Sequence, residues 1–138
     1  MRNIPLMTKK SAPSVLVVDD EALIRWTVAE TLTDRGYMVI QAGDARTALT
    51  AIDGADEPFD VVLLDFRLPD SADLRLLETV RRLTPSSRVI MITAHNSPEL
   101  AQGATALGAY RVISKPFEVE SLASLVNQAQ ASQPSHDR

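Results

Sequence analysis

The chain has 138 residues, of which 45% are hydrophobic and 23% are charged, and its formal net charge at pH 7 is −4. This length and balance are typical of one soluble globular domain with a substantial core. The acidic charge and the absence of an evident basic face argue against direct binding of nucleic acid by this chain, and no apolar run is long enough to span a membrane. The chain has no cysteine, so disulfides and thiolate metal sites are excluded, and we expect it to act in the reducing cytoplasm.

The apolar pattern predicts five short strands, each followed by a helix. The strands are runs of branched and large apolar residues, which is typical of parallel strands that are buried on both faces. In chain order the predicted strands are residues 15–18, 38–41, 61–65, 89–92 and 110–114. The predicted helices are residues 22–35, 45–53, 74–83, 98–107 and 118–129.

Local signals support the ends of the helices and the buried face of the first one. Asp44 can cap the second helix, and Pro98 suits the first turn of the fourth. Three glycines follow predicted helices, where glycine commonly ends a helix: Gly36, Gly54 and Gly108. Five residues are expected to form the buried stripe of the first helix, with Trp26 partly buried: Leu23, Trp26, Val28, Ala29 and Leu32.

The alternation of strands and helices predicts an α/β fold. Apolar strands separated by helices favour a parallel five-stranded sheet between two helical layers, in a doubly wound arrangement. We assign residues 14–131 to this domain. Residues 1–13 are expected to be a disordered leader, and residues 132–138 a disordered tail.

Polar side chains stand at the ends of four predicted strands. They are Asp19 and Asp20 after the first strand, Asp65 at the end of the third, Thr93 after the fourth and Lys115 after the fifth. An apolar strand should not end on a carboxylate unless the charge meets solvent, a cation or a reaction partner. Because the carboxyl ends of parallel strands share one edge of the sheet, we expect these five side chains to converge there.

The chemistry of this set points to phosphoryl transfer. Two carboxylates about 5 Å apart repel each other by roughly 3 kcal/mol at an effective dielectric constant of about 20, so the cluster needs a cation. Oxygen ligands without histidine or cysteine favour Mg²⁺ or a similar hard ion. A carboxylate nucleophile (Asp65), a hard cation, the Lys115 ammonium group and the Thr93 hydroxyl together suit transfer of a phosphoryl group to Asp65.

Four segments, in this order and spacing, resemble the receiver domain of two-component response regulators over residues 14–130: VLVVDDE, VVLLDFRLPD, VIMITA and GAYRVISKPF. The resemblance implies a flavodoxin-like (βα)5 fold with strand order 2-1-3-4-5. It also implies that Asp65 accepts a phosphoryl group from a sensor histidine kinase or a phosphotransfer protein. The domain would then promote its own phosphorylation and dephosphorylation and would turn over no separate substrate, so we do not expect a conventional enzyme.

The resemblance also assigns roles to the other site residues. Asp20, Asp65 and the backbone carbonyl of Arg67 would hold Mg²⁺, with Asp19 acting mainly through a bound water. Thr93 and Lys115 would bind phosphoryl oxygens, and the Lys115–Pro116 peptide bond would be cis.

The chain departs from the family pattern at two places. The family often has glycine at the position of Asp73, so the loop after Asp65 is expected to follow another path. The aromatic switch residue three positions before the lysine is replaced by Val112. Tyr110 lies two residues earlier and, by strand alternation, on the same face. Either Tyr110 serves as the switch, or Thr93 and the fourth helix carry the response to a surface of helix 4, strand 5 and helix 5, through which a homodimer could form.

These residues also have other interpretations. Asp19 and Asp20 could cap the first helix. A phosphatase with an aspartate nucleophile would have two aspartates separated by one residue, and a flavin mononucleotide site would have a phosphate loop rich in serine, threonine and glycine after the first strand. A nucleoside triphosphatase would have a GK[ST] motif, which the sequence lacks. The remaining alternative is a receiver-like module that binds proteins without being phosphorylated.

Overall fold

The computed structural model describes residues 12–132, in which five strands and five helices alternate. The strands are β1 (Ser14–Val18), β2 (Met38–Ala42), β3 (Val61–Asp65), β4 (Arg88–Thr93) and β5 (Arg111–Ser114). The helices are α1 (Ala22–Asp34), α2 (Ala45–Asp53), α3 (Arg75–Leu83), α4 (Pro98–Ala106) and α5 (Val119–Ala131). Most of the predicted disordered leader and tail, residues 1–11 and 133–138, lies outside the described residues.

The strands form one parallel sheet in the order β2-β1-β3-β4-β5. This confirms the predicted α/β architecture, and each predicted element lies within two residues of its observed bounds. Every residue of β3 is buried, whereas β5 at the edge of the sheet has none that is fully buried. Among the described residues, no helix combines the length and the apolar character needed to cross a membrane.

The sheet separates two apolar cores because successive side chains of a strand point to opposite faces. The α2–α4 core lies between the sheet and helices α2, α3 and α4, and includes Leu64, Leu77, Val80, Met91 and Ala104. The α1–α5 core lies on the other face and includes Val28, Leu32, Leu63, Ile90 and Val126. The central strands are therefore held on both sides, which gives the residues at their ends a rigid support.

The predicted buried stripe of α1 is wrong at two of its five positions. Leu23 and Trp26 are 75% and 55% exposed, while Val28, Ala29 and Leu32 are buried. Each helical residue turns the chain by about 100°, so the three buried residues share one side of α1. Leu23 points to the opposite side, and Trp26 lies about 60° from Ala29 at the edge of the buried side, so both are exposed to solvent.

The predicted helix ends are confirmed, although the three glycines differ in conformation. Gly36 and Gly108 adopt positive φ values of 96° and 101°, a region that favours glycine. Gly54 follows α2 with a φ of −90°, which other residues also adopt. At the start of α2, the N–H of Thr47 donates to Asp44 Oδ1 over 2.7 Å, as expected of a capping residue.

Candidate functional site

The sheet order brings the predicted site residues to one edge. Asp65 ends the central strand β3, which lies between β1 and β4, so Asp19 and Thr93 stand at the ends of its two neighbours. Lys115 follows β5, and its N–H donates to the carbonyl of Thr93 over 2.8 Å. The Lys115–Pro116 bond is cis, as the resemblance implied.

Three carboxylates form a compact cluster at this edge. Asp19, Asp20 and Asp65 each contribute one oxygen, and these oxygens lie within 4.8 Å of one another. Asp19 and Asp65 are buried, whereas Asp20 is exposed. Oxygen donors at this spacing fit a hard divalent cation such as Mg²⁺, with the exposed side open to water and to phosphate oxygens.

Lys115 reaches into the cluster from β5. Its Nζ lies 3.1 Å from Asp19 Oδ2, 3.1 Å from Asp65 Oδ2 and 2.6 Å from Glu21 Oε1. Sequence reasoning did not single out Glu21, although it directly follows the two aspartates and could have been found as a third acid at the same strand end. The ammonium group therefore offsets part of the repulsion among the acids and stands beside the oxygen of Asp65.

The surroundings of Asp65 disfavour the ionised form of its carboxyl group. Burial and repulsion by Asp19 raise the pKa of Asp65 to about 6, although hydrogen bonding and attraction to Lys115 act in the opposite direction. Burial by itself would lower the pKa of Lys115, but its hydrogen bonds to Glu21, Asp19 and Asp65 outweigh burial and raise it. At neutral pH Asp65 is thus an ionised carboxylate and Lys115 a cation.

Thr93 supplies a hydroxyl group from the end of β4. Its side chain is buried, and its Oγ accepts a hydrogen bond from the N–H of His95 over 3.1 Å. A hydroxyl that accepts this bond still has its own hydrogen to donate.

A cleft of about 330 Å³ is lined by all the predicted site residues except Asp19. Its lining residues come from the ends of β1, β3, β4 and β5: Asp20, Glu21, Asp65, Phe66, Arg67, Thr93, Ala94, His95 and Lys115. Arg67 lies in the loop after β3, where its N–H donates to Asp65 Oδ1 over 3.3 Å. The role of its carbonyl as a metal ligand stays a prediction.

Several hydrogen bonds hold the loop after β3 in place. Leu68 and Ser71 exchange backbone hydrogen bonds of 2.7 and 3.2 Å, and the Leu68 side chain is buried. Asp73, which replaces the common glycine, accepts a hydrogen bond of 2.9 Å from the N–H of Arg75 and so supports the start of α3. Asp70 accepts two further bonds from α2, which the sequence did not reveal because they join residues 24 and 25 positions apart.

The expectation that Tyr110 and Val112 share a face is wrong. Val112 packs against the α2–α4 core, whereas Tyr110 packs against the α1–α5 core. Strand β5 begins only at Arg111, so strand alternation does not extend back to Tyr110. The guanidinium groups of Arg88 and Arg111 lie 5.5 and 4.9 Å from the centre of the Tyr110 ring.

Comparisons with known proteins agree with the fold and the site. Residues 15–127 match the family model of the response regulator receiver domain. The chain is 34% identical over 116 residues, 84% of its length, to the DNA-binding transcriptional regulator NtrC of Proteus hauseri. The chain spans only 24% of that relative's length.

Two solved structures show the same likeness. A CheY-like response regulator receiver domain protein from Methanospirillum hungatei JF-1 is 31% identical with a TM-score of 0.83, and the match covers 89% of this chain and 97% of that one. The receiver domain of NtrX from Brucella abortus is 38% identical with a TM-score of 0.76, and the match covers 86% and 99% of the two chains. The acidic triad described above is typical of the magnesium site of such domains.

Proposed function

The chain belongs to the response regulator receiver family, and on this premise we propose that Asp65 accepts the phosphoryl group that activates it. The observation that carries the proposal is the position of the Asp65 carboxylate. It ends a fully buried strand, lies 3.1 Å from the Lys115 ammonium group and shares an oxygen cluster with Asp19 and Asp20. The family makes the chain a signalling domain of a two-component system, not a conventional enzyme.

The reaction is a transfer from nitrogen to oxygen. One oxygen of Asp65 attacks the phosphorus of a phosphohistidine, the phosphorus–nitrogen bond breaks, and the imidazole leaves while an acyl phosphate forms on Asp65. Lys115 pairs with a developing phosphoryl oxygen, and the Thr93 hydroxyl donates to another. Mg²⁺, when bound by Asp20, Asp65 and the Arg67 carbonyl, with Asp19 acting through water, would neutralise charge on the transferred group.

Family membership implies a histidine kinase as the partner. The donor proposed here is a sensor histidine kinase or a phosphotransfer protein in the cytoplasm, and the output is a changed protein-binding surface of α4, β5 and α5, through which a homodimer could form.

The NtrC relative is named as a DNA-binding regulator, but the chain spans only 24% of it, so this likeness gives no reason to expect this domain to bind DNA. Interaction with a membrane is not expected either.

The proposal is tested by phosphorylation with a small-molecule donor. Incubation with phosphoramidate and Mg²⁺ should add one phosphoryl group to the chain, as read by intact-mass spectrometry, and chelation of Mg²⁺ should prevent the addition. Asp65→Asn should not be labelled, while Asp53→Asn, at the exposed end of α2, should behave as the wild type. Unchanged labelling of Asp65→Asn would refute Asp65 as the acceptor, and an unlabelled wild type would favour a protein-binding module that needs no phosphorylation.

A further inference from the structure

We propose that Asp70 is a positioning residue of the metal site, which it serves by anchoring the loop after β3 to the first turn of α2. The inference rests on the proposed function, because this loop carries the Arg67 carbonyl proposed as a Mg²⁺ ligand. Asp70 itself does not touch the carboxylate cluster, and its effect would pass through the backbone between residues 65 and 70.

The contact is a double hydrogen bond to the start of a helix. The N–H of Ala45 donates to Asp70 Oδ1 over 2.8 Å, and the N–H of Arg46 donates to Asp70 Oδ2 over 3.1 Å. The first amides of a helix have no partner within the helix, and the helix dipole favours a negative charge at that end. Hydrogen bonds to an ionised acceptor are also stronger than neutral ones. Asp70 is therefore held firmly although it lies in a loop.

These bonds fix the C-terminal end of the segment that contains Arg67. At the N-terminal end, the N–H of Phe66 donates to the carbonyl of Ile92 over 2.8 Å, which continues the pairing of β3 with β4. At the C-terminal end, the turn from Leu68 to Ser71 is joined to α2 through Asp70. The carbonyl of Arg67 thus lies between two anchored points, so a loss of the second one should let its position vary.

The junction between β2 and α2 also holds the other acidic loop. The N–H of Asp19 donates to the carbonyl of Ala42 over 3.1 Å. Arg25 Nη1 donates to the carbonyl of Asp19 over 2.7 Å, and Arg25 Nε donates to Gln41 Oε1 over 3.2 Å. The loop that carries Asp19 and Asp20 and the loop that follows Asp65 are consequently attached to one short segment, and Asp70 makes the attachment for the second loop.

Capping of the helix does not by itself account for Asp70. Asp44 already caps α2, because its Oδ1 accepts the N–H of Thr47 over 2.7 Å. Asp44 directly precedes α2 in the chain and makes this bond within the same turn, so it does not tie α2 to the β3 loop. Two acids at one helix end thus serve different purposes, and they provide a matched pair of variants.

The experiment compares Asp70→Ala with Asp44→Ala in the full chain. Each variant removes one negative charge and one side-chain cap from the same helix end, so both should lower the unfolding midpoint measured with a chelator. Affinity for Mg²⁺ is measured separately by titration with MgCl₂ at constant ionic strength, followed by the backbone amide signals of ¹⁵N-labelled protein. Asp70→Ala should raise the dissociation constant about tenfold or more, the usual effect of losing a group that orients a metal ligand. Asp44→Ala should change it less than twofold.

A second variant keeps the test decisive if Asp70→Ala does not fold. Asp70→Asn retains one acceptor oxygen, so its Mg²⁺ affinity should lie between those of the wild type and Asp70→Ala. Wild-type affinity in every Asp70 variant that folds, with the same loss of stability as in Asp44→Ala, would overturn the proposal and leave Asp70 as a helix cap. That outcome leaves the proposed function intact, whereas a wild-type chain whose amide signals do not respond to Mg²⁺ would contradict both.

Discussion

Asp65 is a buried acid whose charge the fold disfavours. The residue is 5% exposed, and burial together with repulsion by Asp19 raises its pKa to about 6. Lys115 counteracts only part of this effect. Ionisation of Asp65 is therefore disfavoured in the folded, ligand-free protein, whereas the charged form of Lys115 is favoured by the same contacts.

Because ionisation of Asp65 is disfavoured in the folded state, we expect Asp65→Asn to stabilise the protein when metal is chelated. A carboxyl group with a folded-state pKa of about 6 and a usual value of 3.8 favours the folded state below pH 3.8, and this advantage is lost as the pH rises through about 6. Asparagine has nearly the same shape and never ionises, so the variant should have the higher unfolding midpoint at pH 7. The difference should shrink as the pH falls from 6 towards 4.

Thermal unfolding in a chelating buffer at several pH values measures this difference. Asp53→Asn, a change of the same kind at an exposed position, should show no comparable gain at pH 7. A lower midpoint for Asp65→Asn than for the wild type at pH 7 would mean that attraction to Lys115 exceeds the penalty of burial.

The sequence was sufficient to predict which side chains converge at this edge of the sheet. Asp19, Asp20, Asp65, Thr93 and Lys115 stand at strand ends, and a parallel sheet brings such ends together whatever their distance in sequence. The contributions of Glu21 and Asp70 were missed for a physical reason. Their contacts join residues far apart in sequence, Glu21 to Lys115 and Asp70 to α2, so the acids are visible in the sequence but their partners are not.

At the scale of elements, two glycines that end helices in the same conformation have different surroundings. A Cβ atom placed on Gly36 would meet no atom within 4 Å. A Cβ atom placed on Gly108 would lie 2.6 Å from Nε of Arg81. The Arg81 guanidinium group cannot move away freely, because its Nη1 donates to the carbonyls of Pro85 and Ser87 over 3.0 and 2.8 Å.

We therefore expect Gly108→Ala to destabilise the protein more than Gly36→Ala. At Gly36 only the left-handed backbone conformation opposes alanine, which costs about 1–2 kcal/mol. At Gly108 the displacement of Arg81 adds the loss of its hydrogen bonds, each worth about 1 kcal/mol. Urea unfolding at equilibrium measures both differences, and equal losses in the two variants would show that Arg81 moves without penalty.

Strand β5 lacks the usual aromatic switch. Val112 has one strongly preferred rotamer, so it cannot move between exposed and buried positions as a ring does. Tyr110 is not a simple replacement, because it packs on the opposite face of the sheet, where the guanidinium groups of Arg88 and Arg111 contact its ring. The response to phosphorylation is accordingly expected in α4 and its entry loop, next to Thr93.

Beryllofluoride, which mimics the phosphoryl group, should reveal where the response occurs. We expect it to change amide hydrogen exchange in residues 95–107 more than in residues 110–114, with Asp65→Asn as the unresponsive control. Val112→Tyr should alter dimer or partner affinity by at most about 1–3 kcal/mol, the usual size of such couplings, and leave phosphorylation intact. A response confined to residues 110–114 would contradict the expectation that Val112 shifts the response to α4. Tyr110 would then be the candidate for the switch residue.

The elements themselves were predicted well because their signals are local. Wholly apolar strands, capping residues and glycine stops lie within a few positions of the features that they define. The direction in which individual side chains point was less predictable. The exposure of Leu23 and Trp26 depends on how α1 is rotated against the sheet, and the face of Tyr110 depends on the residue at which β5 begins.

At the scale of the whole molecule, folding is what assembles the acidic cluster. Asp19 follows β1 and Asp65 ends β3, and their oxygens approach each other only when the two strands pair in register. An unfolded chain has no such cluster and binds Mg²⁺ far more weakly. A cation that binds the folded state selectively must then stabilise the entire domain, by an amount that depends on its concentration relative to its dissociation constant.

Mg²⁺ should therefore raise the unfolding midpoint of the full chain. At ten times the dissociation constant, linkage gives about 1.4 kcal/mol, which corresponds to about 3–6 °C for a domain of this size. Asp20→Ala should abolish this shift and also prevent phosphorylation, because it removes the exposed carboxylate of the cluster while Lys115 keeps its bonds to Asp19 and Asp65. Asp53→Asn should retain the full shift, and calorimetry with and without MgCl₂ compares the three proteins. Equal midpoints for the wild type in both buffers would mean that the clustered carboxylates do not bind Mg²⁺ at the concentration used, and that Lys115 alone balances their charge.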